Sequence, residues 1–271
     1  MAKKLITIAV VMIMAFVAYC DIQSSNIVGY TGSDTINGFR AVGLSFNSVG
    51  DVPKYKDLKV TGYTGEYKAG QIYFQLLSAS GSKVGQSYMW KDFEYAGDPN
   101  DPEDPPASYH GWYGVQTGED ANEIEFALGS GVWFNAPNGS YTLQSAGEVN
   151  KEPVPVVTRN GFKLLSNPCP REITYGEIRV TGYTGEYKAG QIYFQLLTAS
   201  GSAAGQSYMW NDFEYAGDPN DPEDPPASYH GWYGVQTGED ANDLTLGVGQ
   251  GIWFNAPNDS YVVEFPSAIA D

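Results

Sequence analysis

From Ile124 the chain alternates. Ile124, Phe126 and Leu128 are apolar with Glu125 and Ala127 between them, and positions 244–248 repeat the pattern as Leu, Thr, Leu, Gly and Val. A period of two puts the apolar set on one face of a half-buried strand. Gly129 and Gly131 (Gly249 and Gly251) then punctuate the chain before a second apolar run, Val132-Trp133-Phe134 (Ile252-Trp253-Phe254), predicted to end at Asn135-Ala136-Pro137. Ile72, Phe74 and Leu76 alternate with Tyr73, Gln75 and Leu77 in another strand, matched at 192–197, and Leu58 with Val60 (Ile178 with Val180) marks the strand before it. Asn37-Gly38-Phe39 and Asn160-Gly161-Phe162 read as turns entering a strand at the head of each half, with Ile27-Val28 and Val156-Val157 as the opening strands. Beyond the N-terminus, no window of about 11 residues sustains a helical apolar period with capping signals. Short strands with 32 glycines, 16 prolines and 20 tyrosines predict an all-β protein of sandwich or barrel-like form. Pairing should be antiparallel, because nothing helical is available for parallel crossovers.

The matched numbering comes from a duplication. Val60 to Tyr141 recurs 120 positions later as Val180 to Tyr261 with 13 substitutions, and Asp92 to Asn122 recurs unchanged at Asp212 to Asn242. A repeat of that length is a domain rather than one turn of a solenoid, whose periods are about 20 to 50 residues. Two tandem β-domains are expected at 21–147 and 148–271, after a separate segment at 1–20. That segment opens with Lys3 and Lys4 and continues as an apolar run from Leu5 to Ala18. The run falls short of the roughly 20 residues a spanning helix needs, so it reads as an export signal cleaved after Cys20. Lipidation of Cys20 is the rival, set against the large Tyr19 before it. The expected location is secreted, extracellular or cell-surface, with no membrane insertion after cleavage.

Charge narrows the partners. The chain has 15 basic and 32 acidic residues, a net charge of −17; without Lys3 and Lys4 the balance of 13 against 32 gives −19. Nucleic acid and anionic lipid are poor partners for such a surface. Cleavage would leave Cys169, between Pro168 and Pro170, as the sole cysteine, which excludes an internal disulfide and reads as a buried thiol. Each unchanged block holds 8 carboxylates and no Lys or Arg. Its proline-stiffened run offers Asp98, Asn100, Asp101, Glu103 and Asp104, and in the second copy Asp218, Asn220, Asp221, Glu223 and Asp224, as oxygen ligands for calcium. Glu119, Asp120 and Asn122 could close such a site. The run is not an EF-hand, because Pro102 and Glu103 stand where that loop needs an oxygen ligand and a glycine. A solvated, polyproline-like loop without an ion is the competing reading.

Tyr88, Trp90, Phe93, Tyr95, Tyr109, Trp112 and Tyr113 surround that run. Exposed Trp and Tyr rings serve glycan-binding modules as flat apolar platforms, which makes Trp112, Tyr113, Trp232 and Tyr233 the candidate ligand-binding residues, with Trp112 expected to be the most exposed. The competing reading packs the rings beneath the loop. His110 and His230 are the only histidines, and no nucleophile elbow, His-x-x-x-His or Cys-x-x-Cys occurs, so no catalytic residue is assigned. A carboxylate pair distant in sequence remains open to a glycosidase, although two near-identical small domains make an unusual enzyme. Lys68 and Lys188 suit either a covalent Lys–Asn cross-link or an ordinary turn, and Asn138-Gly139-Ser140 and Asn258-Asp259-Ser260 match the glycosylation acceptor pattern.

Three segments carry a resemblance: Ser25-Asn26-Ile27-Val28-Gly29-Tyr30, Gly161-Phe162-Lys163-Leu164-Leu165-Ser166-Asn167-Pro168, and Gly249-Gln250-Gly251-Ile252-Trp253-Phe254. In this order the chain resembles exported bacterial tandem β-domain proteins of mostly unassigned function. The first copy departs from the pattern, since Gly38-Phe39-Arg40-Ala41-Val42-Gly43 lacks the Ser-x-Pro. The resemblance implies a secreted, non-catalytic β-module and carries over no active-site residue.

Near-identity of the copies also bears on assembly. If one patch of the first copy met a different patch of the second, each copy would expose an unused partner patch, and such a head-to-tail contact closes into a ring or continues as a filament. The sequence therefore predicts a structural protein that self-associates into an extracellular filament or surface layer, calcium-stabilised at its acidic loops, with Ile27-Val28 adding a strand to a neighbour. A glycan-binding tandem module is the alternative.

Overall fold

The computed structural model describes residues 28–32, 36–47, 52–62, 75–77, 85–103, 105–181, 195–199, 204–215, 227–257 and 260–269. Residues 1–20, Ile27, Lys68, Ile72 to Phe74, Asp104, Lys188 and 218–224 lie outside the described residues. Among the described residues the protein is all-β, with two short 3₁₀ turns at Tyr55–Asp57 and Tyr175–Glu177 and no helix long and apolar enough to cross a membrane.

The first half contains β1 (Val28–Gly32), β2 (Ile36–Val42), β3 (Lys59–Thr61), β4 (Gln75–Leu77), β5 (Ser87–Tyr95), β6 (Ala107–Gly114) and β7 (Val132–Glu148). Every pairing is antiparallel. β7 is the spine: residues 132–136 lie between β2 and β4, whereas residues 142–148 pair with β3 and β1. One strand thus belongs to both layers, and the sheet curls over its own core. β7 also outruns its predicted end at Pro137. The β2 register jumps from Gly38↔Ala136 to Ile36↔Tyr141, so Pro137 falls in a bulge, where its missing N–H costs no ladder bond. Gly38 takes φ +76 at this bulge with nothing within 4 Å of a would-be Cβ, so its requirement is conformational rather than steric.

The second half repeats the plan with β8 (Val154–Val157), β9 (Gly161–Ser166), β10 (Ile173–Thr174), β11 (Arg179–Thr181), β12 (Gln195–Thr198), β13 (Ser207–Tyr215), β14 (Ala227–Gly234), β15 (Thr245–Leu246), β16 (Gly251–Ala256) and β17 (Val262–Phe265). Its layers run β14-β13-β12-β16-β9 and β11-β17-β8, with β16 and β17 together standing where β7 does.

Two local expectations are corrected. The alternating segment 124–128 forms only the bridge Lys54↔Glu125, and its counterpart forms only the two-residue β15. Its periodicity is right, since Phe126 and Leu246 are buried, but turns closed by Ile124 N–H to Ala121 C=O and Ser130 N–H to Ala127 C=O leave room for little more. Conversely, the aromatic block read as packing around a long loop is a hairpin, β5 against β6, with the acidic run at its tip. Apolar rings on both faces had hidden the period of two.

Inward positions of the larger layer build each core. Leu76, Tyr88, Trp112 and Phe134 fill the first, and Leu196, Tyr208, Trp232 and Phe254 fill the second. Trp112 and Trp232 are 0% exposed, which overturns their expected role as surface platforms. The cause is local. The Trp112 indole N–H donates to Leu58 C=O at 3.2 Å, its backbone N–H donates to Asn122 Oδ1 at 2.9 Å, and Trp90 packs edge-on at 5.4 Å. The Asn122 amide can reach it because Gly111 has no side chain; a Cβ there would lie 2.3 Å from that amide. The second copy matches, with Trp232 donating to Ile178 C=O at 3.3 Å and to Asn242 Oδ1 at 2.9 Å. Cys169 is also buried, as expected; its thiol donates to Pro266 C=O and burial pushes its pKa up to about 11.

The halves meet through a reciprocal seam. Gly43 N–H donates to Gly249 C=O at 2.9 Å, and Ser166 N–H donates to Gly129 C=O at 2.9 Å. Aligning Asn37-Gly38-Phe39 with Asn160-Gly161-Phe162 makes Gly43 the equivalent of Ser166, and the 120-residue offset makes Gly129 the equivalent of Gly249. The bridges Val42↔Gln250 and Ser130↔Leu165 are equivalent in the same sense. The same edge of each half therefore meets its own copy about a pseudo-twofold axis, which is an isologous contact. The contact between the halves is thus isologous rather than head-to-tail, and both of its edges are used within one chain. β1, which begins at Val28, pairs along its length with β7 of its own chain and ends the described strand order of its sheet.

Candidate functional site

Register fixes what the outer face of each larger layer carries. Phe134 points into the core with Leu76 and Tyr88, so Trp133 must point out, with Leu77 across from it. One row further, Asn135 lies on the same face as Met89 and Tyr113. On β2 the outward positions are Phe39 and Ala41. The second half presents Trp253, Leu197, Asn255, Gln195, Met209, Tyr233, Phe162 and Leu164 in the same arrangement.

The seam joins these two faces into one. Trp133 and Trp253 approach across the axis with ring centres 6.2 Å apart. Phe39 stands edge-on to Trp133 at 6.4 Å, and Phe162 stands edge-on to Trp253 at 6.1 Å. The result is a symmetric strip, Phe39–Trp133–Trp253–Phe162. Ala41 and Leu164 disappear beneath the seam at 0% exposure, whereas Phe39 and Phe162 at the outer ends are 62% and 60% exposed. The two tryptophans are half-buried.

Electrostatics set this face apart. Among the described side chains at the outward positions of its strands, Lys91 carries the only charge, and its ammonium sits 3.7 Å from the centre of the Tyr113 ring. Asp120 and Asp240, exposed and bridged to Tyr113 and Tyr233, put one carboxylate at each outer edge of this face, while the described strand positions between them carry rings, amides and thioethers. The polar groups that accompany the rings are the half-buried amide of Gln195, the phenols of Tyr113 and Tyr233, and, largely covered, the amides of Asn135 and Asn255. Each amide supplies both a donor and an acceptor.

The residues expected from sequence are distributed differently. Tyr113 and Tyr233 lie on the outer face, half-buried, while Trp112 and Trp232 lie behind it in the cores. Asp98, Asn100, Asp101 and Glu103 are exposed at the hairpin tip, where Asp98 Oδ1 accepts from Asn100 N–H and Asp101 Oδ1 accepts from Glu103 N–H. These carboxylates close two successive Asx turns. Asp104 and the second-copy ligands Asp218, Asn220, Asp221, Glu223 and Asp224 lie outside the described residues. The further oxygens serve structure as well: Asp120 Oδ1 accepts from Asn122 N–H at 2.7 Å, and Asn122 Oδ1 holds Trp112. Tyr109, whose hydroxyl donates to Trp112 C=O, has its pKa pushed up to about 12 by burial and by the neighbouring Asp120. His110 is exposed on β6, opposite Asp92 in register.

Comparison with protein-family models, with curated proteins and with solved structures finds no match.

Sequence reading missed Phe39, Phe162, Trp133 and Trp253 as surface residues. A signal was present: Trp133-Phe134 are adjacent in a strand, and adjacent side chains point to opposite faces, so both rings cannot enter one core.

Proposed function

We propose that the chain is an exported, non-catalytic glycan-binding protein that holds a neutral polysaccharide against the aromatic strip. One observation carries this reading: two phenylalanines about 60% exposed end a line of four rings, with the nearest described carboxylates, Asp120 and Asp240, at the edges of the face. A contiguous apolar patch of this kind on a soluble protein signals a binding surface. Sugar rings offer C–H faces to stack on aromatic rings and hydroxyls for flanking amides to bond, a combination of apolar body and convergent polar groups typical of ligand sites. Charge favours this partner over a second copy. Two chains of −17 repel each other unless salt screens them, over a Debye length of about 8 Å at physiological ionic strength, whereas a neutral polymer meets no such opposition. It also disfavours anionic polysaccharides.

A glycan array probed with the purified chain, and with a Phe39→Ser/Phe162→Ser variant, tests the reading. Neutral polysaccharides should retain the parent chain and release the variant, while polygalacturonate retains neither. Retention only by anionic glycans, or equal retention of parent and variant, would overturn it. Both substitutions lie at exposed positions, so the variant should keep its fold.

A further inference from the structure

The strip crosses the seam, and that constrains what it reads. If each half held its own ligand, the four rings would divide into Phe39 with Trp133 and Phe162 with Trp253, each pair serving a separate site. The geometry does not divide there. The Trp133–Trp253 separation of 6.2 Å across the axis matches the 6.4 and 6.1 Å within each half, so successive ring centres are evenly spaced from one end to the other. Reciprocal backbone bonds at 2.9 Å hold the two halves in this relation. They also require glycine. A Cβ at Gly43 would lie 1.8 Å from Ser166 Oγ, one at Gly131 would lie 2.8 Å from Leu165 O, and one at Gly251 would lie 2.5 Å from Ala41 Cβ. The halves are thereby brought close enough for their tryptophans to touch.

Building on the glycan reading, we infer that the duplicated chain forms one composite site rather than two, and that its ligand is a linear, extended, neutral oligosaccharide segment of several sugars lying across the pseudo-twofold axis. Four evenly spaced rings, the phenylalanines edge-on to the tryptophans, give a ligand successive apolar contacts along one line across the axis. A mono- or disaccharide engages only a fraction of them. The even spacing suits a polymer whose sugar rings repeat at a similar interval. The net charge of −17 disfavours an acidic polymer. Asn135 and Asn255 lie one row from the tryptophans on the same face but are only 7% and 8% exposed, so polar contacts to a ligand fall to the half-buried Gln195, Tyr113 and Tyr233.

Isothermal titration calorimetry of the full chain with cello-, xylo-, manno- and chito-hexaose, and with the corresponding disaccharides, separates the alternatives. A composite site takes one hexaose per chain, binds it on the order of tenfold or more tighter than the disaccharide, and loses most of its affinity on either Trp133→Ala or Trp253→Ala, because each tryptophan serves the same ligand. Two ligands per chain would overturn the composite site while leaving glycan binding intact; in that case each single tryptophan variant would keep one site of unchanged affinity. No heat with any hexaose would overturn the glycan reading and this inference together. Since Trp133 and Trp253 also touch each other, Phe39→Ser and Phe162→Ser provide a second pair of variants at exposed positions, and each should weaken the single hexaose site. Sedimentation of the ligand-free chain covers the remaining occupant. A dimer that Phe39→Ser abolishes, in a chain that binds no hexaose, would assign the strip to self-association instead.

Discussion

Trp232→Ala should lower the unfolding free energy by about 3 to 5 kcal/mol, a large share of the roughly 5 to 15 kcal/mol of a typical domain. The indole is 0% exposed and packs against Trp210 at 5.4 Å, so its removal leaves a cavity beneath β13 and β14 that the sheet cannot close without losing register. Trp232→Phe isolates a smaller part of the effect. It keeps an aromatic ring but removes the N–H that bonds Ile178 C=O, leaving a buried carbonyl unpaired at a cost of about 1 to 3 kcal/mol. Urea denaturation of both variants should give this order, and the equivalent changes at Trp112 should reproduce it in the first half. A loss below about 1 kcal/mol for Trp232→Ala would place the ring at the surface and restore it as a candidate platform.

Gly251→Val should break the seam. A Cβ at this position would lie 2.5 Å from Ala41 Cβ and 2.9 Å from the Ala41 carbonyl carbon, atoms of a paired strand that cannot swing aside as a long side chain would. Overpacking in a close-packed interior costs typically about 1 to 3 kcal/mol, and contact with backbone puts this case toward the upper end. The form of the loss is more telling than its size. With the seam intact the halves should unfold together; in the Gly251→Val variant they should separate into two transitions, because each retains its own core. Gly32→Ala is the control, since its Cβ would meet nothing nearer than 3.6 Å. A single, unshifted transition for Gly251→Val would mean that the reciprocal bonds do not hold the halves together.

The all-β class and most strands were legible because apolar residues recur at every second position, as in the strands around Leu76 and Leu196, and because nothing else in the chain could form a helix. The hairpin of β5 and β6 was not legible, since Tyr88-Met89-Trp90 is apolar on both faces and a period of two has no contrast to reveal it. Trp112 attracted attention by its Gly-Trp-Tyr setting beside the acidic run, yet that glycine is what lets Asn122 close over the backbone and bury the ring. The surface tryptophans went unnoticed for the opposite reason: Val132-Trp133-Phe134 reads as a uniformly apolar strand, and only the phase fixed by Phe134 turns Trp133 outward. The seam lay beyond sequence reading altogether. Gly131 and Gly251 looked like punctuation between strands, whereas their role is to admit the opposite half at backbone distance.

The claim that the aromatic strip is the ligand surface is tested most directly by hydroxyl-radical footprinting of side chains, with and without the neutral polysaccharide that binds best. Phe39, Trp133, Trp253 and Phe162 should lose reactivity together on binding, while Pro99, Pro102 and Pro105 at the acidic hairpin tip are unchanged. Protection centred on the hairpin tip, with the four rings of the strip as reactive as before, would contradict it.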